Sequence, residues 1–186
     1  MPRRIIADQE ALYFLTMTTI EWIDLFTRKV YKDILIECLQ YCREHKDLEI
    51  YAYIIMSNHV HLIAKIKDGS NKQLSNVIRD FKKYSAILLL KAIKDQRESR
   101  RRWMENLFAF NGEYLHQKFQ IWQHGSHPIE LYSPKVIWEK IHYIHLNPVR
   151  QGIVANPADY VYSSAGDYLE RKGLLEVELM DFVSLS

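Results

Sequence analysis

The stretch from Leu48 to Lys67 constrains the fold most, because it holds two β-favouring segments almost back to back. The first, Leu48–Met56, is apolar at both alternating sets of positions, which predicts a strand that is central in its sheet. The second carries His59 and His61, and residues two apart in a strand point to the same face. The two imidazoles therefore project side by side. The opposite face of this strand carries Val60, Leu62, Ala64 and Ile66.

Helical and strand-like segments alternate around this pair of strands. The region 11–20 is rich in aromatic and β-branched residues and predicts strand 1, and the alternating segment Lys118–Gln123 predicts strand 4. Apolar residues recur with helical period from Thr27, a predicted helix cap, to about Lys46, and again from Lys72 to Lys94. This order is the split βαβ pattern of an α+β, ferredoxin-like sandwich, in which helices cover one face of an antiparallel sheet. Strands 1 and 3 would form its central pair.

A further helix is predicted near the end of the chain. Ser133-Pro134 provides a capping serine followed by a first-turn proline, and Asn147-Pro148 predicts the stop after Leu146. Its apolar stripe consists of Ile137, Ile141 and Ile144. Tyr143 and Asn147 lie on a flank rotated away from that stripe. We expect this helix to cover the histidine face of the sheet.

The charge is distributed unevenly along the chain. The formal net charge is only +2, yet the segment Asn71–Trp103 has ten Lys and Arg against three Asp and Glu. Such a segment predicts either a polyanion-binding face or the solvated side of an amphipathic helix. The candidate nucleic-acid-binding residues in it are Arg79, Lys82, Lys83, Arg100, Arg101 and Arg102. Trp103 and Trp122 are candidates for stacking on bases or for packing in the core.

Bulk properties indicate a soluble cytoplasmic protein. The chain has no apolar run long enough for a signal peptide or a membrane span, so we expect no contact with a membrane. Its two cysteines, Cys38 and Cys42, fit thiols in a reducing compartment better than a disulfide framework. The length predicts a single domain over residues 1–186, with a core of about residues 10–170 and a short C-terminal tail.

The spacing of His59 and His61 leaves more than one interpretation open. Two adjacent imidazoles can hold a metal ion or grip a phosphate, and they can also be ordinary strand residues on a half-exposed face. If the amide of Asn147 joined them, the ligand types alone would suit zinc or manganese better than magnesium.

Two motifs together resemble a known family. His59-Val60-His61 resembles the HUH motif, in which a bulky apolar residue separates two histidines. The segment Tyr143–Arg150 resembles the Tyr-Ile-x-x-Asn-Pro-Val-Arg/Lys helix of single-tyrosine HUH transposases, and most of all their REP-associated relatives. Matching context is provided by Met56-Ser57-Asn58, Ile121-Trp122-Gln123 and Tyr162-Ser163-Ser164. The resemblance covers about residues 10–170.

The resemblance implies a metal-dependent transposase or nickase. Tyr143 would attack a phosphate of single-stranded or hairpin DNA and form a 5′-phosphotyrosine. His59, His61 and Asn147 would hold Mg²⁺ or Mn²⁺, and Arg150 would join the DNA-binding residues. Relatives act as monomers or as homodimers, so a homodimer is possible. Two alternatives stay open: a non-catalytic nucleic-acid-binding regulator, and a metal-dependent nuclease that uses water.

Overall fold

The sheet has the strand order of a ferredoxin-like sandwich. The computed structural model describes residues 5–95, 98–113 and 118–180. The four strands are antiparallel in the order β2-β3-β1-β4. Their bounds are β1 Tyr13–Thr18, β2 Leu48–Ile55, β3 His59–Ile66 and β4 Ile129–Glu130. The predicted α+β class and the central pair of strands 1 and 3 are therefore confirmed.

Helices cover both faces of this sheet. Their bounds are α1 Lys29–Lys46, α2 Leu74–Asp95, α3 Arg101–Glu113 and α4 Pro134–Arg150. The main core lies under α1 and α2 and contains the β3 residues Val60, Leu62, Ala64 and Ile66, as predicted. A second apolar cluster on the opposite face joins Phe14 and Ile63 to the α4 stripe. Burial of this stripe holds α4 over the histidine face.

The helix α4 begins as predicted but ends later than predicted. The Ser133 side chain accepts a hydrogen bond from the Val136 amide, so the predicted cap is confirmed. The predicted stop at Asn147-Pro148 is wrong, because the helix continues through Pro148 to Arg150. Backbone hydrogen bonds still form beyond Pro148, where the Gln151 amide donates to the Asn147 carbonyl. The Asn147 side-chain amide also donates to the Tyr143 carbonyl in the turn that precedes the proline. Continuation of the helix carries Arg150 two turns past Tyr143, onto the same face.

The prediction of strand 4 at Lys118–Gln123 is wrong. Strand β4 is Ile129–Glu130, which pairs with the start of β1. The earlier segment makes one isolated bridge, between Trp122 and Thr19, just past the end of β1. The adjacent residues Ile121 and Trp122 are both buried in the main core, and the Trp122 indole donates to Ser85 Oγ. Of the two roles considered for Trp122, packing in the core is therefore the one observed.

Strand β2 is an edge strand and not a central one, so that prediction is also wrong. Its apolar residues are buried on one face by α1 and α2 and on the other by α4. Its free edge is bonded by the C-terminal segment: the Ile55 amide donates to the Tyr162 carbonyl, and the Ser164 amide donates to the Tyr53 carbonyl. An edge covered in this way has the same hydropathy pattern as a central strand.

Two smaller predictions have different outcomes. Thr27 does not cap α1: the cap position belongs to Arg28, whose side chain makes no capping hydrogen bond to the helix, and Thr27 Oγ1 accepts from Arg100. Cys38 and Cys42 are buried free thiols, as expected. Among the helices of the described ranges, none has the length and hydropathy needed to cross a bilayer.

Candidate active site

The histidine pair lies buried beneath α4. The ring centroids of His59 and His61 are 4.6 Å apart, and the Phe14 ring stacks on His61 at 5.0 Å. Burial lowers the pKa of both imidazoles. For His61 the pKa falls to about 3, and the nearby His59 and Lys140 lower it further in the same direction. Both rings are therefore neutral at neutral pH, the form in which imidazole binds a metal.

A hydrogen bond to Nδ1 fixes the orientation of each imidazole ring. His59 Nδ1 lies 2.7 Å from Asn58 Oδ1, and the Asn58 amide nitrogen donates to the Trp22 carbonyl at 3.2 Å. Because the Asn58 nitrogen is used elsewhere, its oxygen faces the ring and accepts the Nδ1 proton, which leaves Nε2 with a lone pair. His61 Nδ1 is bonded to Thr16 Oγ1 at 2.9 Å. Supporting bonds of this kind orient imidazoles toward a metal through the other nitrogen.

Tyr143 stands beside the histidine pair in the same chain. Its ring centroid is 5.4 Å from that of His61 and 5.9 Å from that of Phe14, and 38% of its surface is exposed. Two cations flank the ring: Lys140 Nζ and the Arg150 guanidinium carbon each lie 5.4 Å from its centroid. The tyrosine also lines a groove of about 520 Å³ along the outer side of α4. An exposed phenol between two cations is therefore open to an anionic ligand.

Asn147 follows Tyr143 by one helical turn and is buried. Its amide nitrogen donates to the Tyr143 carbonyl at 2.8 Å, which leaves the side-chain oxygen as its remaining polar atom. No group of three or more His, Cys, Asp and Glu side chains suited to a metal occurs within residues 5–95, 98–113 and 118–180. A metal held by the histidine pair would therefore need further ligands of another kind.

Two predicted DNA-binding residues are engaged within the protein. The Lys82 ammonium donates to the Gln123 and Gly125 carbonyls at 2.6 and 2.7 Å, and burial lowers its pKa to about 8. The Arg100 guanidinium donates to the Asp24 carbonyl and pairs with Glu98. In this conformation both cations hold loops in place.

The other predicted cations on α2 and α3 are exposed, and none of their hydrogen bonds or ion pairs in the described residues involves a histidine. Arg79 pairs with Asp80, and Arg101 pairs with Glu105 and donates to the Lys94 carbonyl at 3.0 Å. Lys83 and Arg102 are exposed. Of the predicted set, only Arg150 contacts a residue of the tyrosine–histidine site.

Sequence reasoning missed three residues of this site. Lys140 precedes Tyr143 by three residues, and that helical spacing was a usable signal for a shared face. Asn58 adjoins His59 in the sequence, but its bond to the ring depends on the side-chain geometry. Thr16 is opposite His61 in the β1–β3 register, so it could be found only once that pairing was known.

His145 lies on the opposite side of α4 from the groove and is buried. Its Nε2 lies 2.9 Å from Ser164 Oγ, which also accepts from the Tyr53 amide. Burial lowers the pKa of this imidazole to about 4. The contact ties the tyrosine helix to β2 and to the C-terminal segment.

The fold and the site define an α+β sandwich that gathers a tyrosine, two histidines and two cations on one side of its sheet. This set of groups is suited to phosphodiester chemistry. Residues 9–122 match the family described as IS200-like transposases, and the chain belongs to this family. The matched region includes His59 and His61 and ends before the helix that carries Tyr143.

Two solved structures are similar to this chain. One is a REP-associated tyrosine transposase bound to a REP hairpin; it has a TM-score of 0.62 and 18% sequence identity, and the match covers 100% of this chain and 97% of that one. The other is a putative transposase from Deinococcus radiodurans, with a TM-score of 0.45 and 17% identity over 77% of this chain and 95% of that one. The first likeness supports the fold. No protein of curated function matches the sequence.

Proposed function

We propose that this protein cleaves and rejoins single-stranded or hairpin DNA through a covalent 5′-phosphotyrosine at Tyr143, with a divalent metal at His59 and His61. One observation carries the proposal: the Tyr143 ring lies 5.4 Å from the His61 ring within one chain. Membership of a transposase family supports DNA as the substrate. The hairpin bound to the REP-associated relative supports hairpin DNA in particular.

The donor set fits a divalent metal. His59 and His61 would bind it through Nε2, since Nδ1 of each ring is already hydrogen-bonded, and Asn147 would contribute its amide oxygen. When bound, the metal would act as a Lewis acid on the scissile phosphate and offset its charge. Mg²⁺ and Mn²⁺ are the ions that the family likeness favours, and Mn²⁺ also suits imidazole ligands.

The side chains around Tyr143 have distinct roles in the proposed reaction. The phenol gives up its proton and its oxygen forms a bond to phosphorus as the bond from phosphorus to the 3′ oxygen breaks. The departing 3′ oxygen takes up a proton, so the step as a whole neither consumes nor releases one. Lys140 and Arg150 offset the charge on the non-bridging phosphate oxygens. Because the phosphotyrosine keeps the energy of the phosphodiester, a new 3′-hydroxyl can reverse the reaction without ATP. The exposed cations Arg79, Lys83, Arg101 and Arg102 are the proposed contacts for the remaining DNA backbone.

The proposal is tested with hairpin oligonucleotides that carry single-stranded flanks, incubated with Mn²⁺ and separated on denaturing gels. We expect a protein–DNA adduct that disappears in Tyr143→Phe. Tyr132→Phe is the matched control, because Tyr132 is an exposed tyrosine just before α4 with no contact to the histidines in the described structure.

Each alternative function gives a different result in this assay. Cleavage that persists in Tyr143→Phe would indicate a nuclease that uses water. DNA that is shifted but never cut, by any variant, would indicate a non-catalytic regulator. Either result contradicts the proposed function.

A further inference from the structure

Trp22 is an exposed tryptophan in a strained loop. Its residue surface is 60% exposed, which leaves a large apolar ring in water. Trp22 and the preceding Glu21 both adopt left-handed backbone conformations, with φ of 53° and 50°. This conformation is unfavourable for residues other than glycine, and such strain is concentrated at functional sites. Core packing does not account for this indole, in contrast to Trp122, which is 5% exposed.

Hydrogen bonds fix the loop around Trp22 against the histidine strand. We define the Trp22 loop as residues 19–28. The Trp22 carbonyl accepts from the same Asn58 side chain that contacts His59 Nδ1. The Thr19 amide donates to the Asn58 carbonyl at 2.9 Å, and Ser57 Oγ donates to Asp24 at 2.6 Å. The backbone of Trp22 is thus held next to the start of β3, where the histidine pair begins, and its side chain is exposed there.

The other side of the Trp22 loop contacts the basic cluster. The Arg100 guanidinium donates to the Asp24 carbonyl at 2.9 Å and to Thr27 Oγ1 at 3.2 Å. The helix α3 begins at the next residue, and its first two residues, Arg101 and Arg102, are exposed. The Trp22 loop therefore contacts the start of the arginine cluster at one end and the histidine strand at the other, and exposed Trp22 belongs to this loop.

We propose that Trp22 is a stacking platform for a base of single-stranded DNA next to the scissile phosphate. This inference rests on the proposed function and adds to it a contact with the substrate. Aromatic rings stack on bases of any sequence, and the faces of a base are available only when the strand is unpaired. Arg101 and Arg102 hold the backbone of the same strand on its way to the histidines.

Binding is measured in a Tyr143→Phe background with EDTA, so that no cleavage takes place. The probes are a labelled oligothymidylate of about 20 nucleotides and an abasic phosphodiester of equal length and charge. Trp22→Ala should weaken oligothymidylate binding by about 5- to 100-fold, the equivalent of the loss of one stacked base. It should leave binding of the abasic strand unchanged.

Further variants separate stacking from other effects. Trp22→Phe should retain most of the affinity, whereas Trp22→Leu, which is apolar but not aromatic, should bind as weakly as Trp22→Ala. All three side chains keep a Cβ, so the strain of the loop backbone stays the same. Phe110→Ala is the control, because Phe110 is 73% exposed on the regular helix α3. It should bind both probes as the parent does.

Three results would overturn the inference. They are equal affinity of the parent for the two probes, an equal loss for both probes in Trp22→Ala, and a Trp22→Phe variant as weak as Trp22→Ala. These outcomes are separate from failure of the proposed function. If no adduct forms, the binding comparison can still be interpreted, because it is made without cleavage. If Trp22 makes no stacking contribution, the adduct assay can still be interpreted.

Discussion

Acidification should destabilise the fold through its buried histidines. His145 shows this effect without interference from a bound metal, because it is not one of the proposed metal ligands. Burial holds the pKa of His145 at about 4, against an ordinary value of 6.5. Below about pH 6.5 the unfolded chain takes up a proton that the folded protein resists until the pH nears 4, so the unfolded state binds more protons. Stability is therefore complete above pH 6.5 and is lost as the pH falls.

The size of this loss follows from the two pKa values. Between pH 7.5 and pH 5, His145 should remove about 2 kcal/mol from the free energy of unfolding. His61, whose pKa is about 3, should remove a similar amount over the same range. The two together give a loss of about 4 kcal/mol, which is a large part of the stability of a typical domain.

The assay is urea denaturation in EDTA at pH 7.5 and pH 5, followed by circular dichroism. His145→Gln, whose amide can still bond to Ser164 Oγ, should reduce the pH-dependent loss by about 2 kcal/mol. His124→Gln, a change in an exposed loop, is the control and should keep the parent's pH dependence. An unchanged pH dependence in His145→Gln would refute the reasoning, and so would a parent protein that becomes more stable at pH 5.

Three further predictions concern the site. A mixture of Tyr143→Phe and His61→Ala proteins should form no adduct on gels, because tyrosine and histidines act within one chain; recovered activity would show exchange of α4 between subunits. Lys140→Met should slow adduct formation by about 10- to 100-fold with a smaller change in DNA affinity, whereas Lys140→Arg should retain most of the rate; equal losses in rate and affinity would contradict a role at the phosphate. Mn²⁺ should raise the thermal midpoint at pH 7.5, and this increase should vanish with EDTA or in His59→Ala; an undiminished increase in His59→Ala would place the metal elsewhere.

Local sequence patterns were sufficient for the elements that carry the site. Alternation placed His59 and His61 on one face of β3, and helical spacing put Tyr143 on a flank of α4 away from its buried stripe. The Ser133 cap was visible because its chemistry is local to one helical turn. The split βαβ order then determined that strands 1 and 3 are central. The apolar stripe of α4 could be buried only against the face of the sheet that α1 and α2 leave uncovered, which is the histidine face.

Features that depend on tertiary contacts were missed or misplaced. A strand of two residues, such as Ile129–Glu130, is too short to have a period, while the segment Lys118–Gln123 alternates but makes only an isolated bridge. The apolar pattern of β2 reflects cover by helices and by the C-terminal segment, and not a central position. A count of charges did not distinguish Lys82 and Arg100, which hold loops in place, from cations that face solvent.

The central claim is that Tyr143 becomes covalently linked to DNA beside the histidine pair. Mass spectrometry of proteolytic peptides, after reaction with a hairpin oligonucleotide and Mn²⁺, tests it most directly. The account predicts a nucleotide phosphate on the peptide that contains Tyr143, and no such modification in His61→Ala. A modification on another residue, or one that persists at Tyr143 without His61, would contradict the account.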